Sequence, residues 1–154
     1  QDRSSAASDV YKRQGDIQTA TDVLDRLKET GCDMVMVGRA LTARPWLFWQ
    51  VGDLLGWPPP PGKEGSPPLT PQEEGQEYGL SLLRLIELIQ GRLSPILSLK
   101  KFQFHVKTGA VWLPFGHQLY AQVMKEKKID NMPEVIRRFF QQEHSLSLRT
   151  ELRQ

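Results

Sequence analysis

The sequence predicts a mainly α fold: helix–strand–helix, a proline-rich linker, then four short helices. Three observations carry this. Apolar residues recur at helical spacing in segment after segment. Only one run, Met34–Val37, is continuously apolar and of strand length. Residues 56–71, "GWPPPPGKEGSPPLTP", hold seven prolines and three glycines, a composition that divides the chain.

Each element has a local cause. Thr19 can cap a helix that sets Ala20, Val23, Leu24 and Leu27 on one face, and Gly31 suits its left-handed end. Met34–Val37, apolar on both faces, reads as a strand of a covered sheet, expected near 33–37. One strand cannot satisfy its own backbone, so this first part reads as a piece of something larger. Cys32, at the helix-to-strand junction, is expected to be a small buried residue. Pro45 suits the first turn of a second helix whose buried face is Trp46, Leu47, Val51, Leu54 and Leu55. Beyond the linker, Thr70 and Glu73 form a capping box around Pro71, and Tyr78, Leu82, Leu85, Ile86 and Ile89 follow at helical spacing up to Gly91. Ser94 and Pro95 open the next helix, with Gly109 as its stop. A third runs near 116–127. A fourth starts at Asn131, with Pro133 early and Val135, Ile136, Phe139 and Phe140 along it. Four short helices with brief connections make a small four-helix bundle. Phe102, Phe104 and Trp112 read as core, with base-stacking platforms as the alternative. The chain is expected to fray from 146 to 154.

Length and composition set bounds. A chain of 154 residues suffices for one ordinary domain or two small ones, and 39% hydrophobic residues exclude a wholly disordered chain. Net charge is +2, but residues 81–154 hold 12 Lys and Arg against 6 Asp and Glu. A basic second half suits an anionic partner there; a solvated helical surface is the alternative. The single cysteine allows no internal disulfide and fits a reducing, cytoplasmic setting. No apolar run reaches membrane-spanning length, which takes roughly 18 residues. His105, His117 and His144 have no metal-ligand spacing, so no metal site is expected.

"GDI" (15–17) before a helix, then an apolar strand ending in Gly38–Arg39, reads as the last β/α units of a TIM-type (β/α)8 barrel, where terminal loops bind phosphate. Gly15 and Gly38 would let the main chain approach a phosphate, and Arg39 would add a charged, bidentate donor. The alternative is a plain strand-to-helix turn at Gly38 and a surface arginine.

The stretch "GDI…TGCDMVMVGRALTARPWLF", followed by a helical tail, resembles the C-terminal part of the tRNA-dihydrouridine synthase family. The matching residues are Gly15, Asp16 and Ile17, then Gly31, Cys32, Asp33, Val35, Met36, Gly38, Arg39, Pro45, Trp46, Leu47 and Phe48. Ala40 stands where a glycine is common, and Thr42, Ala43 and Arg44 replace the usual Leu-Gly-Asn. The resemblance implies a parent enzyme that reduces a tRNA uridine to dihydrouridine with FMN, using NADPH as reductant. It implies cofactor-binding residues Gly15, Asp16, Gly38 and Arg39, and no catalytic residue here, because the family's acid cysteine lies in an earlier loop. It also implies a fragment that is inactive by itself and binds no FMN, a tRNA partner, no membrane and a monomer. The helical part would grip tRNA through Lys100, Lys101 and Lys107, through Lys125, Lys127 and Lys128, and through Arg137 and Arg138. The domains expected are a leader over 1–14, barrel units over 15–55, a linker over 56–70, a helical tRNA-binding domain over 71–145 and a tail over 146–154. Residues 1–14, ending in "DVYKRQ", read as adapter-derived sequence; a genuine disordered arm is the alternative. Two other functions stay open: a stand-alone helical RNA-binding module, and a different FMN barrel acting on small molecules.

Overall fold

The computed structural model describes residues 17–150. The described chain divides between Pro67 and Pro68 into two compact units. Among the described residues all regular structure is helical, with six α-helices and three short 3-10 turns.

In the first unit, helix α1 (Ala20–Thr30) begins where Thr19 expects it to. The Thr19 hydroxyl accepts from the Asp22 N–H at 3.2 Å, and the Asp22 carboxylate accepts from the Thr19 N–H at 3.0 Å. Gly31 ends it at φ 64, its N–H donating to the Leu27 carbonyl. Helix α2 (Leu47–Leu54) packs against α1, and Ile17, Ala20, Val23, Val37, Trp46, Leu47 and Val51 form the core between them. Pro45 lies in the turn just before α2.

Four expectations are corrected in this unit. The strand near 33–37 does not form: no described segment offers it a ladder, and Met34 is 84% exposed. Cys32 is exposed for the same reason, since the sheet face that would cover it is not there. Leu54 and Leu55 are also exposed, at the end of α2, whose buried residues are Leu47, Gln50, Val51 and Gly52. Arg44, by contrast, is buried at 1% exposure, a position the sequence marked only as a departure from a motif. Past α2 the chain turns back, with the Trp57 N–H on the Gly52 carbonyl and the Lys63 ammonium 5.5 Å from the centre of the Trp49 ring.

The second unit holds α3 (Pro71–Gln90), α4 (Pro95–Gly109), α5 (Gly116–Lys125) and α6 (Met132–Phe139). Neighbours pack in sequence, α3 on α4, α4 on α5, α5 on α6, and α6 returns to α3. Tyr78, Leu82, Ile86, Phe102, Val106, Trp112, Leu119, Val123, Met132 and Ile136 fill the centre. The Thr70–Glu73 capping box is formed in both directions. Ser94 has the extended backbone of a cap but makes no side-chain cap bond. Ser98 covers the junction instead, its hydroxyl reaching the carbonyls of Ile89 and Leu93. Asn131 likewise gives no side-chain cap, because the 3-10 turn Ile129–Asn131 already leads the chain into α6.

Two further corrections concern this unit. Phe104 is 65% exposed and is not core. The expected fraying from 146 does not start there. Leu146 is buried and donates to the Pro71 carbonyl at 2.8 Å, while Ser147 donates to the Trp112 carbonyl at 2.7 Å.

Candidate phosphate turn and nucleic-acid interface

The Gly38–Arg39 turn opens the 3-10 segment Arg39–Thr42. Gly38 is exposed, at φ −111, and a β-carbon on it would meet nothing within 4 Å. Neither a left-handed turn nor internal packing demands glycine at this position, so the main chain is open to approach from outside. The Arg39 guanidinium is on an exposed residue, and the Arg39 carbonyl accepts from the Thr42 hydroxyl at 2.7 Å. Ala40 is buried, and its carbonyl accepts from the Ala43 and Arg44 N–H groups. Its methyl therefore belongs to the core and leaves the open side of the turn unobstructed. Gly15 and Asp16, the other half of the expected phosphate site, lie outside the described residues, as does the leader over 1–14.

In the second unit a groove of about 600 Å³ runs between α4, the end of α5 and the segment after it. Lys100, Lys127 and Lys128 line it together with Glu126 and Asp130. Glu126 shapes the segment that carries two of these lysines. One carboxylate oxygen accepts from the N–H groups of Lys127 and Lys128 and from the Asn131 amide. These bonds hold its carboxyl below the usual carboxylate range, the Lys127 N–H contributing most. The Gln90 amide donates to Asp130 at 2.8 Å and ties the same segment to the end of α3.

The structure thus gathers Lys100 with Lys127 and Lys128. Lys101 and Lys107 are exposed along α4, Lys125 is exposed at the end of α5, and Arg137 and Arg138 are exposed on α6, outside the groove lining. Among the described residues, Lys100, Lys101, Lys107, Arg137 and Arg138 enter no ion pair. The sequence reading weighs Phe104 as core or base-stacking platform and prefers core; it lies between Lys100 and Lys107 on the same exposed face, and the spacing of four and then three residues was the available signal.

His144 stacks on Phe139 with centroids 4.2 Å apart and bonds the Phe139 carbonyl at 2.9 Å. Among the described residues no group of His, Cys, Asp and Glu could hold a metal, and no helix is long and apolar enough to cross a membrane.

Comparison with known proteins bears on the first unit. Residues 13–60 match the family model described as dihydrouridine synthase. The chain is 44% identical over 50 residues to tRNA-dihydrouridine synthase B of Xanthomonas axonopodis pv. citri, covering 30% of this chain and 15% of that protein. It is 43% identical over 62 residues to a probable tRNA-dihydrouridine synthase of Mycobacterium tuberculosis, covering 40% of this chain and 14% of that protein. A probable tRNA-dihydrouridine synthase of Mycobacterium leprae is 43% identical over 47 residues, 30% of this chain and 12% of that protein. The chain therefore spans only a small part of the length of these relatives. Residues 13–60 are similar to the dihydrouridine synthase family, and the chain is consistent with a fragment of one of its members.

Proposed function

We propose that this chain is the C-terminal part of an enzyme that reduces a uridine of tRNA to 5,6-dihydrouridine. The observation that carries the reading is the family segment, residues 13–60, with the open Gly38–Arg39 turn inside it. On this reading residues 15–55 are the last β/α units of a TIM-type barrel, 56–70 a linker and 71–145 a helical tRNA-binding domain. The open main chain at Gly38 and the exposed guanidinium of Arg39 fit the phosphate of FMN, with Gly15 and Asp16 as further partners. Bound FMN, reduced by NADPH, supplies the hydride that the uracil ring takes up. This chain's own part is to hold that phosphate and to grip the RNA backbone. No residue of it is assigned to catalysis.

Lys100, Lys101, Lys107, Arg137 and Arg138 are the proposed RNA contacts, with Lys127 and Lys128 beside Lys100 in the groove. Each phosphate they neutralise releases counterions, so affinity for tRNA falls with salt at a log–log slope of roughly −0.7 to −0.9 per contact. The test is a salt titration of tRNA binding by the chain, wild type against Lys100→Ala/Lys107→Ala. The double variant should bind every tRNA more weakly, with a slope flatter by about two units. Coincident slopes would return the lysines to a solvated face. For the parent protein, the readout is a gain of two hydrogens on a tRNA uridine that requires both FMN and NADPH.

A further inference from the structure

The side of α4 that faces away from the core carries an aromatic ring between two lysines. Ser98, Phe102, Val106 and Gly109 are buried on one side of this helix. On the other, Lys100, Phe104 and Lys107 follow at steps of four and three residues, all exposed. At the rise of an α-helix the ring sits about 6 Å along the axis from Lys100 and about 4.5 Å from Lys107. Among the described residues the Phe104 ring has no aromatic or cationic partner. Folding does not require it, since Phe102 and Trp112 already fill this part of the core.

We infer that Phe104 is a stacking platform for an unpaired base of RNA, with Lys100 and Lys107 holding the phosphates on either side. This rests on the reading that the helical unit meets tRNA, and adds how it meets it: through an unstacked nucleotide as well as through backbone charge. An exposed aromatic flanked by cations is the recurring element of single-strand recognition, because every base offers a π-face and every linkage a phosphate. Leu97 is exposed one heptad before Phe104 on the same helix, so the face also has an apolar flank. Charge decides against a second copy of the chain as the occupant. A symmetric pairing on this face would set Lys100 and Lys107 against their own images, whereas an anionic strand complements them.

The experiment measures binding of the full chain to tRNA, to a single-stranded RNA and to a blunt duplex of the same length. Phe104→Ala should weaken the first two roughly tenfold, leave the salt slope unchanged, and leave the duplex unaffected, since its bases are already stacked inside. Phe104→Trp should restore binding and Phe104→Leu should not, which separates stacking from mere apolar area. Far-UV circular dichroism of the chain checks that each variant stays folded, since most of its helical residues lie in this unit. Wild-type affinity in Phe104→Leu, or an equal loss on the duplex, overturns the inference. So does a Phe104-dependent affinity for polyglutamate, which would point to an acidic protein. If the lysine variants flatten the salt slope while Phe104→Ala is silent, the stacking role falls and the tRNA reading stands. If the wild-type chain binds no RNA even at low salt, both fall together.

Discussion

The carbonyl oxygen of His144 occupies the place where a β-carbon on residue 75 would stand, so glycine at 75 is what lets the end of the chain lie against α3. One turn later, a β-carbon on Gly79 would come within 2.9 Å of the Phe140 ring. The two glycines form a shallow track on the helix. Phe140 and His144 fill it, and Tyr78 meets the Phe140 ring edge-on at 6.2 Å.

Gly75→Ala should therefore destabilise the helical unit by roughly 1–3 kcal/mol or more, because the obstacle is backbone and cannot rotate away. Gly79→Ala should cost less, since a phenyl ring can turn. Far-UV circular dichroism in a urea titration of the chain is the readout, since most of its helical residues lie in this unit. Equal midpoints for Gly75→Ala and wild type would show that the seam is not closed in solution.

Tyr78 is fully buried, and its hydroxyl has no hydrogen-bond partner among the described residues. Burial pushes its pKa well above the usual tyrosine range. Tyr78→Phe should leave stability unchanged or raise it by about 1 kcal/mol, because nothing is lost but an unsatisfied group. The sign at high pH follows from the same shift. The folded state disfavours the tyrosinate, so wild-type stability falls as pH rises through the ordinary tyrosine range, and the phenylalanine variant lacks that component. A clear drop in the unfolding midpoint of Tyr78→Phe would mean that the hydroxyl is bonded.

Glu73 accepts from the N–H groups of Thr70 and Leu69, and these bonds hold its pKa below the usual carboxylate value, the Thr70 N–H contributing most. A depressed folded pKa gives stability that is present above the ordinary carboxylate range and is lost as pH falls through the folded value. Glu73→Gln keeps the reciprocal cap but removes the charge. Its unfolding midpoint should vary less on the acid side than that of the wild type. Glu126, lowered in the same direction, retains its own share of the slope. Identical acid profiles would rule out Glu73 as a contributor.

Arg39→Ala, made in the parent protein, should weaken FMN by roughly tenfold or more, because it removes a charge-assisted contact to a phosphate. Flavin absorbance retained after gel filtration is the readout. Unchanged occupancy would return Arg39 to the surface role that the sequence alone left open.

What could be read from the sequence was what neighbouring residues decide among themselves. Thr19, Gly31 and the Thr70–Glu73 pair act within one helical turn, and they mark helix ends where the structure has them. Burial was another matter. Cys32, Leu54, Leu55 and Phe104 are apolar or small, and their exposure depends on which surfaces reach them, which no local pattern states. The Gly75–His144 seam joins residues far apart in the chain. Its only trace is a pair of glycines four apart in a helix that would otherwise have no use for them. At the candidate site, Lys100 and Lys107 share a face by spacing alone. Phe104 falls on that face by the same spacing, but its exposure, and the company of Lys100 with Lys127 and Lys128, needed the fold.

The bond from Leu146 to the Pro71 carbonyl also has a topological consequence. It brings the segment after α6 to the first residue of α3, so the path through the four helices is nearly a closed loop. A loop can be opened elsewhere. The turn between α3 and α4, at the exposed Gly91 and Arg92, is a natural place to cut, with a short peptide joining the old ends. The helices would then run in the order α4, α5, α6, α3 and still bury the same core.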